Sequence, residues 1–177
     1  MDFILFDDLA KNLYKKELLN MIVESDKDFV PPLSSRTSTT QSCFDQNAQD
    51  CSVLPYFEKV LTQNIIGVFD GEDLVGFLSF IQNYTSNEID QTTFDNVYLS
   101  TLILKPITRG QGLTYKLYDH VFNVLYPKHN IFTRTWSTNF AHLKILDKFG
   151  FTCFKTIKDD RAKGIDTVYF SLLRKGK

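Results

Sequence analysis

The chain has 177 residues, with sixteen Phe and eight Tyr spread among charged residues and a net charge of −1. That length suits a single domain over 1–177 with a sizeable core, and the near-neutral balance excludes a general affinity for nucleic acid or for an anionic membrane. Without a run of about 18 apolar residues no transmembrane helix is expected; Asp2, Asp7 and Asp8 stand where a signal peptide would be basic, which predicts a cytoplasmic location.

Phe3-Ile4-Leu5-Phe6 opens the chain as a short strand. A helix to residue 25 follows, capped by Asp7 or Asp8, with Leu9, Leu13, Leu18, Ile22 and Val23 as its apolar face. Residues 26–51 lose all periodicity. Pro31-Pro32 leads into a hydroxyl-rich run from Ser34 to Ser42 with one arginine, and a connection of that length is a lid, a binding loop or a linker. Its composition suits hydrogen bonding to a polar small molecule or a peptide.

A second helix is predicted over 54–63, with Ser52 as cap and Pro55 in its first turn. Two β-rich runs, 65–69 and 74–81, joined through Asp70-Gly71, read as a hairpin. Residues 82–95 are polar and form a loop. Asn96 to Lys105 is an apolar, β-branched strand ended by Pro106, which has no N–H for a ladder. The helix after it, 113–126, carries Leu113, Leu117, Val121, Val124 and Leu125 on one face and stops at Pro127. A strand over 131–136 follows. Ser137-Thr138-Asn139 then caps a helix bearing Phe140, Leu143, Ile145, Leu146 and Phe149, which Gly150 ends. Strands at 151–157 and 167–173, with a polar turn over 158–164 between them, complete an α+β arrangement of mixed sheet and flanking helices.

Three cysteines, Cys43, Cys51 and Cys153, are an odd number without metal-ligand spacing, so reduced thiols and no metal site are expected. Cys153 reads as a small core residue of its strand.

Arg109-Gly110-Gln111-Gly112, between strand and helix, is the stretch with chemistry. Two glycines allow backbone conformations closed to other residues, the first helical turn presents unpaired N–H groups, and the guanidinium adds a planar donor fork. Such a junction is either an ordinary βα turn or a phosphate seat. A P-loop fails, because Gly112 is followed by Leu113 and Thr114, with Leu113 where Lys is needed. A dinucleotide fingerprint fails at Tyr115.

The pattern Arg-x-x-Gly-x-(Gly/Ala), after a strand ending in apolar-x-Pro, resembles motif A of the GNAT superfamily of acyl-CoA-dependent N-acetyltransferases. Pro106, Arg109 and Gly112 match, and Thr114 stands where Gly or Ala is usual. Asn139, Gly150 and Phe151 match the family's last helix and following strand, while Leu146 occupies its tyrosine position. The match spans roughly residues 60–173 and fits a small-domain, bacterial-type member. It implies a twisted, mostly antiparallel mixed sheet of about six to seven strands with helices on both faces. It also implies transfer of an acetyl group from acetyl-CoA to a primary amine of a small molecule or peptide, without a metal.

Carried over, Arg109, Gly110, Gln111, Gly112, Leu113 and Thr114 would hold the coenzyme diphosphate. Leu102, Ile103 and Leu104 would hold the pantetheine arm and polarise the thioester carbonyl, with Asn139 beside them. A bulged strand suits that role, since a bulge leaves ladder groups unpaired. The acceptor side would be the 26–51 loop, with Arg36 meeting an acceptor carboxylate. Leu146 cannot protonate a thiolate, and Tyr98 falls where some relatives carry a glutamate base, although a phenol titrating near 10 is a poor base at neutral pH. Substitutes are His142, one turn into the last helix, and Ser100, on the same strand face as Tyr98. The missing tyrosine keeps open an alternative, an acyl-CoA-binding module without turnover. The final strand or an exposed sheet face could pair two chains as a homodimer.

Overall fold

The computed structural model describes residues 1–41, 44, 52–86 and 95–174, so Cys43 and Cys51 lie outside the described residues. Strands β1 (Asp2–Leu5), β2 (Asn64–Asp70), β3 (Asp73–Gln82), β4 (Asn96–Leu104), β5 (Asn130–Trp136), β6 (Thr152–Ala162) and β7 (Ile165–Leu172) form one sheet in the order β1-β2-β3-β4-β5-β7-β6. All neighbours are antiparallel except β4 and β5. A parallel pair needs a crossover, and here the crossover carries helix α4 (Leu113–His120). The expected α+β class is therefore the observed one.

Both faces of the central strands are covered, which is why β2, β3 and β4 read as nearly continuous apolar runs. On one face α4 and α5 (Phe140–Lys148) bury Leu113, Leu117, Tyr118 and Leu146 against Ile66, Leu78, Val97 and Leu99. On the other, α2 (Lys15–Glu24) and α3 (Leu54–Leu61) pack Leu18, Ile22, Phe57 and Val60 on Ile65, Phe77 and Ile103. Burial of each such side chain is worth about 1.5–3 kcal/mol.

The first helix departs from its prediction. It breaks at Tyr14 into α1 (Asp8–Leu13) and α2, because the Tyr14 ring is drawn in against Phe6 and Phe69 at 5.4 and 5.3 Å between centroids. The break rotates the apolar face, so Leu9, Leu13 and Val23 are exposed while Leu18, Met21 and Ile22 are buried. The Asp7 cap forms as expected, accepting from the Ala10 N–H at 2.8 Å.

After α4 the chain continues as a π-turn over Val121–Leu125, closed by Tyr126 N–H to Val121 C=O at 2.8 Å. The extra residue per turn shifts the helical phase. Phe122 goes into the core and Val124 turns out to solvent, contrary to the predicted stripe. Cys153 is a second correction: it is exposed, because β6 is an edge strand with a register break between Cys153 and Lys155. β6 and β7 also run further than predicted, leaving only residues 163–164 between them.

Candidate active site

β4 and β5 lie side by side only from Asn96–Leu99 against Asn130–Thr133, and then part. Separation begins where Ser79 faces Thr101 and Phe80 faces Leu99, which makes Ser100 an extra residue on β4. Such a bulge bends its strand and increases the local twist. It also puts two successive side chains on the α3 face. The Ser100 hydroxyl meets Ser79 Oγ at 2.8 Å and donates to Gln63 Oε1, and Thr101 Oγ1 meets the buried Tyr56 hydroxyl at 2.6 Å. A bulge is present at Ser100, two residues before the segment it was expected to serve.

The parted strands open a cleft of about 680 Å³ that passes from the α4/α5 face to the face bearing Ser25, Asp28 and Phe29. Ladder geometry decides what β4 offers it. Lys105 N–H donates to Val75 C=O at 2.8 Å, so by the alternation of an antiparallel ladder Ile103 directs its main-chain groups at β3. Leu102 and Leu104 direct theirs the opposite way, toward the place β5 has vacated. Of the three residues expected to hold a substrate arm, two therefore present backbone donors and acceptors to the cleft. Ile103 spends its own on the ladder and its side chain on the core.

At one end of the cleft lies the glycine turn. Gly110 and Gly112 have φ of 77° and 73°, the left-handed region that costs other residues about 1–2 kcal/mol. Their positive φ aims the chain so that α4 begins at Leu113. The Lys116 N–H reaches Gly112 C=O at 3.1 Å, which leaves the amides of Leu113, Thr114 and Tyr115 as the orphan donors of the first turn. Thr114 lines the cleft. Gln111 turns back to donate to Ile107 C=O at 3.2 Å. Arg109 donates from Nε to Leu104 C=O at 3.1 Å and from Nη2 to the Asp28 carboxylate at 2.7 Å, a half-exposed ion pair in the cleft mouth. An anion binding at the turn would share the Arg109 guanidinium with Asp28 or compete with it.

The opposite wall carries Asn139 and His142. The Asn139 side chain caps α5, accepting from the His142 N–H at 3.3 Å, and its Nδ2 donates to Thr135 Oγ1 at 3.1 Å. His142 Nε2 lies 2.8 Å from the Tyr118 hydroxyl. Burial lowers the His142 pKa to about 4 and raises that of Tyr118, so the pair is uncharged at neutral pH. A histidine whose folded pKa lies below its unfolded value of 6.5 leaves the unfolded chain holding more protons between those values. Stability is thus complete above pH 6.5 and falls as pH drops toward 4. The expected loss is about 2 kcal/mol, less than the whole shift would give because the ring is partly exposed. Thermal melts at pH 7.5 and 4.5 should show this limb in the native chain and lack it in His142→Phe; equal limbs in both would assign it to other groups.

Three expected residues stand away from the cleft lining: Gln111, which turns back on Ile107, Tyr98 and Arg36. Tyr98 is buried, stacked on Tyr84 at 4.5 Å, and burial raises its hydroxyl to about 12, which leaves it protonated at neutral pH. Arg36 is 7% exposed, and its guanidinium donates to the carbonyls of Pro31 and Val30 at 2.6–3.1 Å, fastening the segment after α2 to itself. Ser100, Leu102, Ile103, Leu104, Arg109, Gly110, Gly112, Leu113, Thr114, Asn139 and His142 are brought together around one cleft. Sequence reasoning missed Tyr118, Thr135 and Arg134, which line it too. Tyr118 sits next to Leu117 on α4, but nothing in the sequence pairs it with a histidine 24 residues away. Among the described residues, no group of three or more His, Cys, Asp or Glu is placed to hold a metal ion. Nor is any helix long and apolar enough to cross a membrane.

Comparison with known proteins agrees with this geometry. The model of a family described as acetyltransferase (GNAT) matches residues 33–151. No curated protein sequence matches the chain. Among solved structures, ribosomal-protein-alanine N-acetyltransferase from Brucella melitensis superposes with a TM-score of 0.67 at 11% identity, covering 98% of this chain and 100% of that one. The ribosomal-protein-S18-alanine N-acetyltransferase from Escherichia coli gives 0.61 at 12%, covering 99% and 96%. The Salmonella typhimurium protein yncA, solved with its cofactor acetyl-CoA, gives 0.61 at 14%, covering 100% and 95%. At such identities the likeness is one of fold.

Proposed function

The chain belongs to the acetyltransferase (GNAT) family and is on that account an acyltransferase, and from this we propose that it moves an acetyl group from acetyl-CoA directly to a primary amine of a small molecule or peptide. The observation that carries the reading is the free edge of β4, with Leu102 and Leu104 facing a cleft that ends at the Arg109–Gly112 turn. The spacing suits the coenzyme. Its diphosphate would lie against the amides of the first turn of α4 beside Arg109 and Thr114, where a helix start favours anions. The pantetheine arm would lie along β4, bonded to the outward main-chain groups of Leu102 and Leu104, with Asn139 across from it.

In the transfer itself, the amine lone pair attacks the thioester carbonyl carbon. A C–N bond forms, the C–S bond breaks, the amine gives up a proton and the departing thiolate takes one. Main-chain N–H groups facing the cleft would stabilise the developing oxyanion, an arrangement that gains strength in a water-excluded site. Ser100, on the bulge, and the uncharged His142–Tyr118 pair would assist the proton movements through water. Tyr98, protonated and sealed beneath Tyr84, would not act as base.

Two measurements test this. Titration calorimetry with CoA should give a binding heat, and a thiol assay should detect CoA release from acetyl-CoA when amines are supplied. No heat and no release would end the proposal. Within it, His142→Phe is expected to lower kcat roughly tenfold or more with little change in the KM for acetyl-CoA, whereas Tyr98→Phe should leave kcat near native. An unchanged kcat in His142→Phe removes that side chain from the mechanism.

A further inference from the structure

On the sheet face opposite α4 and α5, three guanidiniums converge on one ring. The Cζ atoms of Arg36, Arg134 and Arg161 lie 5.3, 5.6 and 4.4 Å from the centroid of Phe44. They come from three separate places, the segment after α2, strand β5 and strand β6. Among the described residues, their hydrogen bonds go to neutral oxygens. Arg36 donates to the Val30 and Pro31 carbonyls, Arg161 to the Thr167 hydroxyl at 2.8 Å and the Val30 carbonyl at 2.9 Å, and Arg134 to the Tyr169 hydroxyl and the Thr39 carbonyl, both at 3.2 Å.

Buried charges are ordinarily paired, because an uncompensated one is costly. Burial first, then Arg36 and Arg134, lower Arg161 to about 9 against the pull of Asp160; burial lowers Arg36 to about 10 against that of Tyr56 and Asp26; Arg134 itself is raised, its burial outweighed by Tyr98 and Tyr169. An anion brought into this field would relieve the repulsion. Arg36 and Arg161 are closed off at 7% and 3% exposure. Arg134 is half-buried and lines the cleft, one residue past Thr133, where β5 leaves β4. With five N–H groups and two of them used, it keeps donors for a ligand. Phe29 and Trp136, with ring centroids 5.8 Å apart, line the same cleft.

We propose that the acceptor amine carries an anionic group, a carboxylate or a phosphonate, which Arg134 binds with Arg36 and Arg161 supplying charge behind it. This rests on the acetyltransferase reading and names its substrate class. The arrangement also bears on the missing base. A positive field disfavours an ammonium ion, so the amine of a molecule anchored there by its anion would reach the thioester more readily in the neutral form the attack needs. The same field repels polycations.

The test uses the whole chain, acetyl-CoA and matched amines: L-phenylalanine against phenylalaninamide, 2-aminoethylphosphonate against ethanolamine, and spermidine. CoA release should be faster by tenfold or more, about the worth of a charge-assisted hydrogen bond, for at least one anionic member than for its neutral partner, and slowest for spermidine. Arg134→Gln should raise the KM of that anionic acceptor about tenfold to a hundredfold, with the KM for acetyl-CoA unchanged, and Arg134→Lys should recover part of the loss. Equal or faster release with the neutral partners or with spermidine overturns the inference and leaves the acetyltransferase reading standing. Release with none of the five overturns the inference, and a CoA binding heat measured on the same sample then tells whether the reading beneath it falls as well.

Discussion

Gly76→Ala is expected to destabilise the protein by about 2 kcal/mol, a fall of roughly 4–8 °C in Tm. A Cβ at Gly76 would lie 2.4 Å from Leu104 Cδ2 and 2.7 Å from the Ile103 carbonyl oxygen. The leucine tip can swing aside, but the carbonyl is backbone still held in the ladder with β3 and has nowhere to go. Relief would come from moving β4 away from β3, into the cleft. The variant should therefore also bind CoA more weakly than its stability loss alone explains. Gly71→Ala is the control: its φ of 62° is strained for alanine, yet nothing lies within 4 Å of its Cβ and it is remote from the cleft. It should lose about 1 kcal/mol and keep CoA affinity. Melting curves and CoA titrations of both variants check this; Gly76→Ala melting within 1 °C of native, a shift of under about 0.5 kcal/mol, would refute it.

Arg109→Ala is expected to weaken CoA binding about tenfold to a hundredfold, the worth of a hydrogen bond to a charged group. The loss should shrink as salt is raised, because the site is half-exposed. Asp28→Asn should act in the opposite direction. Asp28 holds the Arg109 guanidinium at 2.7 Å, so its carboxylate competes with a diphosphate for that charge. A half-exposed pair is worth up to about 1 kcal/mol, which bounds the gain at roughly fivefold. Pantetheine, which lacks the diphosphate, should bind native and Arg109→Ala chains alike. If Arg109→Ala weakens pantetheine as much as CoA, the arginine acts by shaping the loop through its Leu104 carbonyl bond and not by its charge.

Gly112, the start of α4 and Asn139 could be read from the chain because their conformations are set locally. A positive φ, a helix start and an N-cap are set within three or four residues, and the structure has all three. Arg36 shows the limit of that reading. A lone arginine in a hydroxyl-rich run looks available, but its carbonyl partners at Val30 and Pro31 depend on how the segment folds back. Arg134 sits inside an ordinary strand pattern and had no signal of its own, and its company with Arg36 and Arg161 spans 125 positions of sequence at most, from residue 36 to 161.

By itself the amino-acid sequence determined the mixed α+β class, the order of strands and helices, and the glycine turn behind β4, since periodicity, proline and glycine act over one or two turns of chain. Only the tertiary structure decided that β5 parts from β4 after Leu99, that the main-chain groups of Leu102 and Leu104 but not those of Ile103 face the gap, and that three guanidiniums meet at Phe44. The physical reason is that ladder register and the pairing of buried charges are settled between segments far apart in the chain, where packing and desolvation of the whole sheet outweigh any local preference.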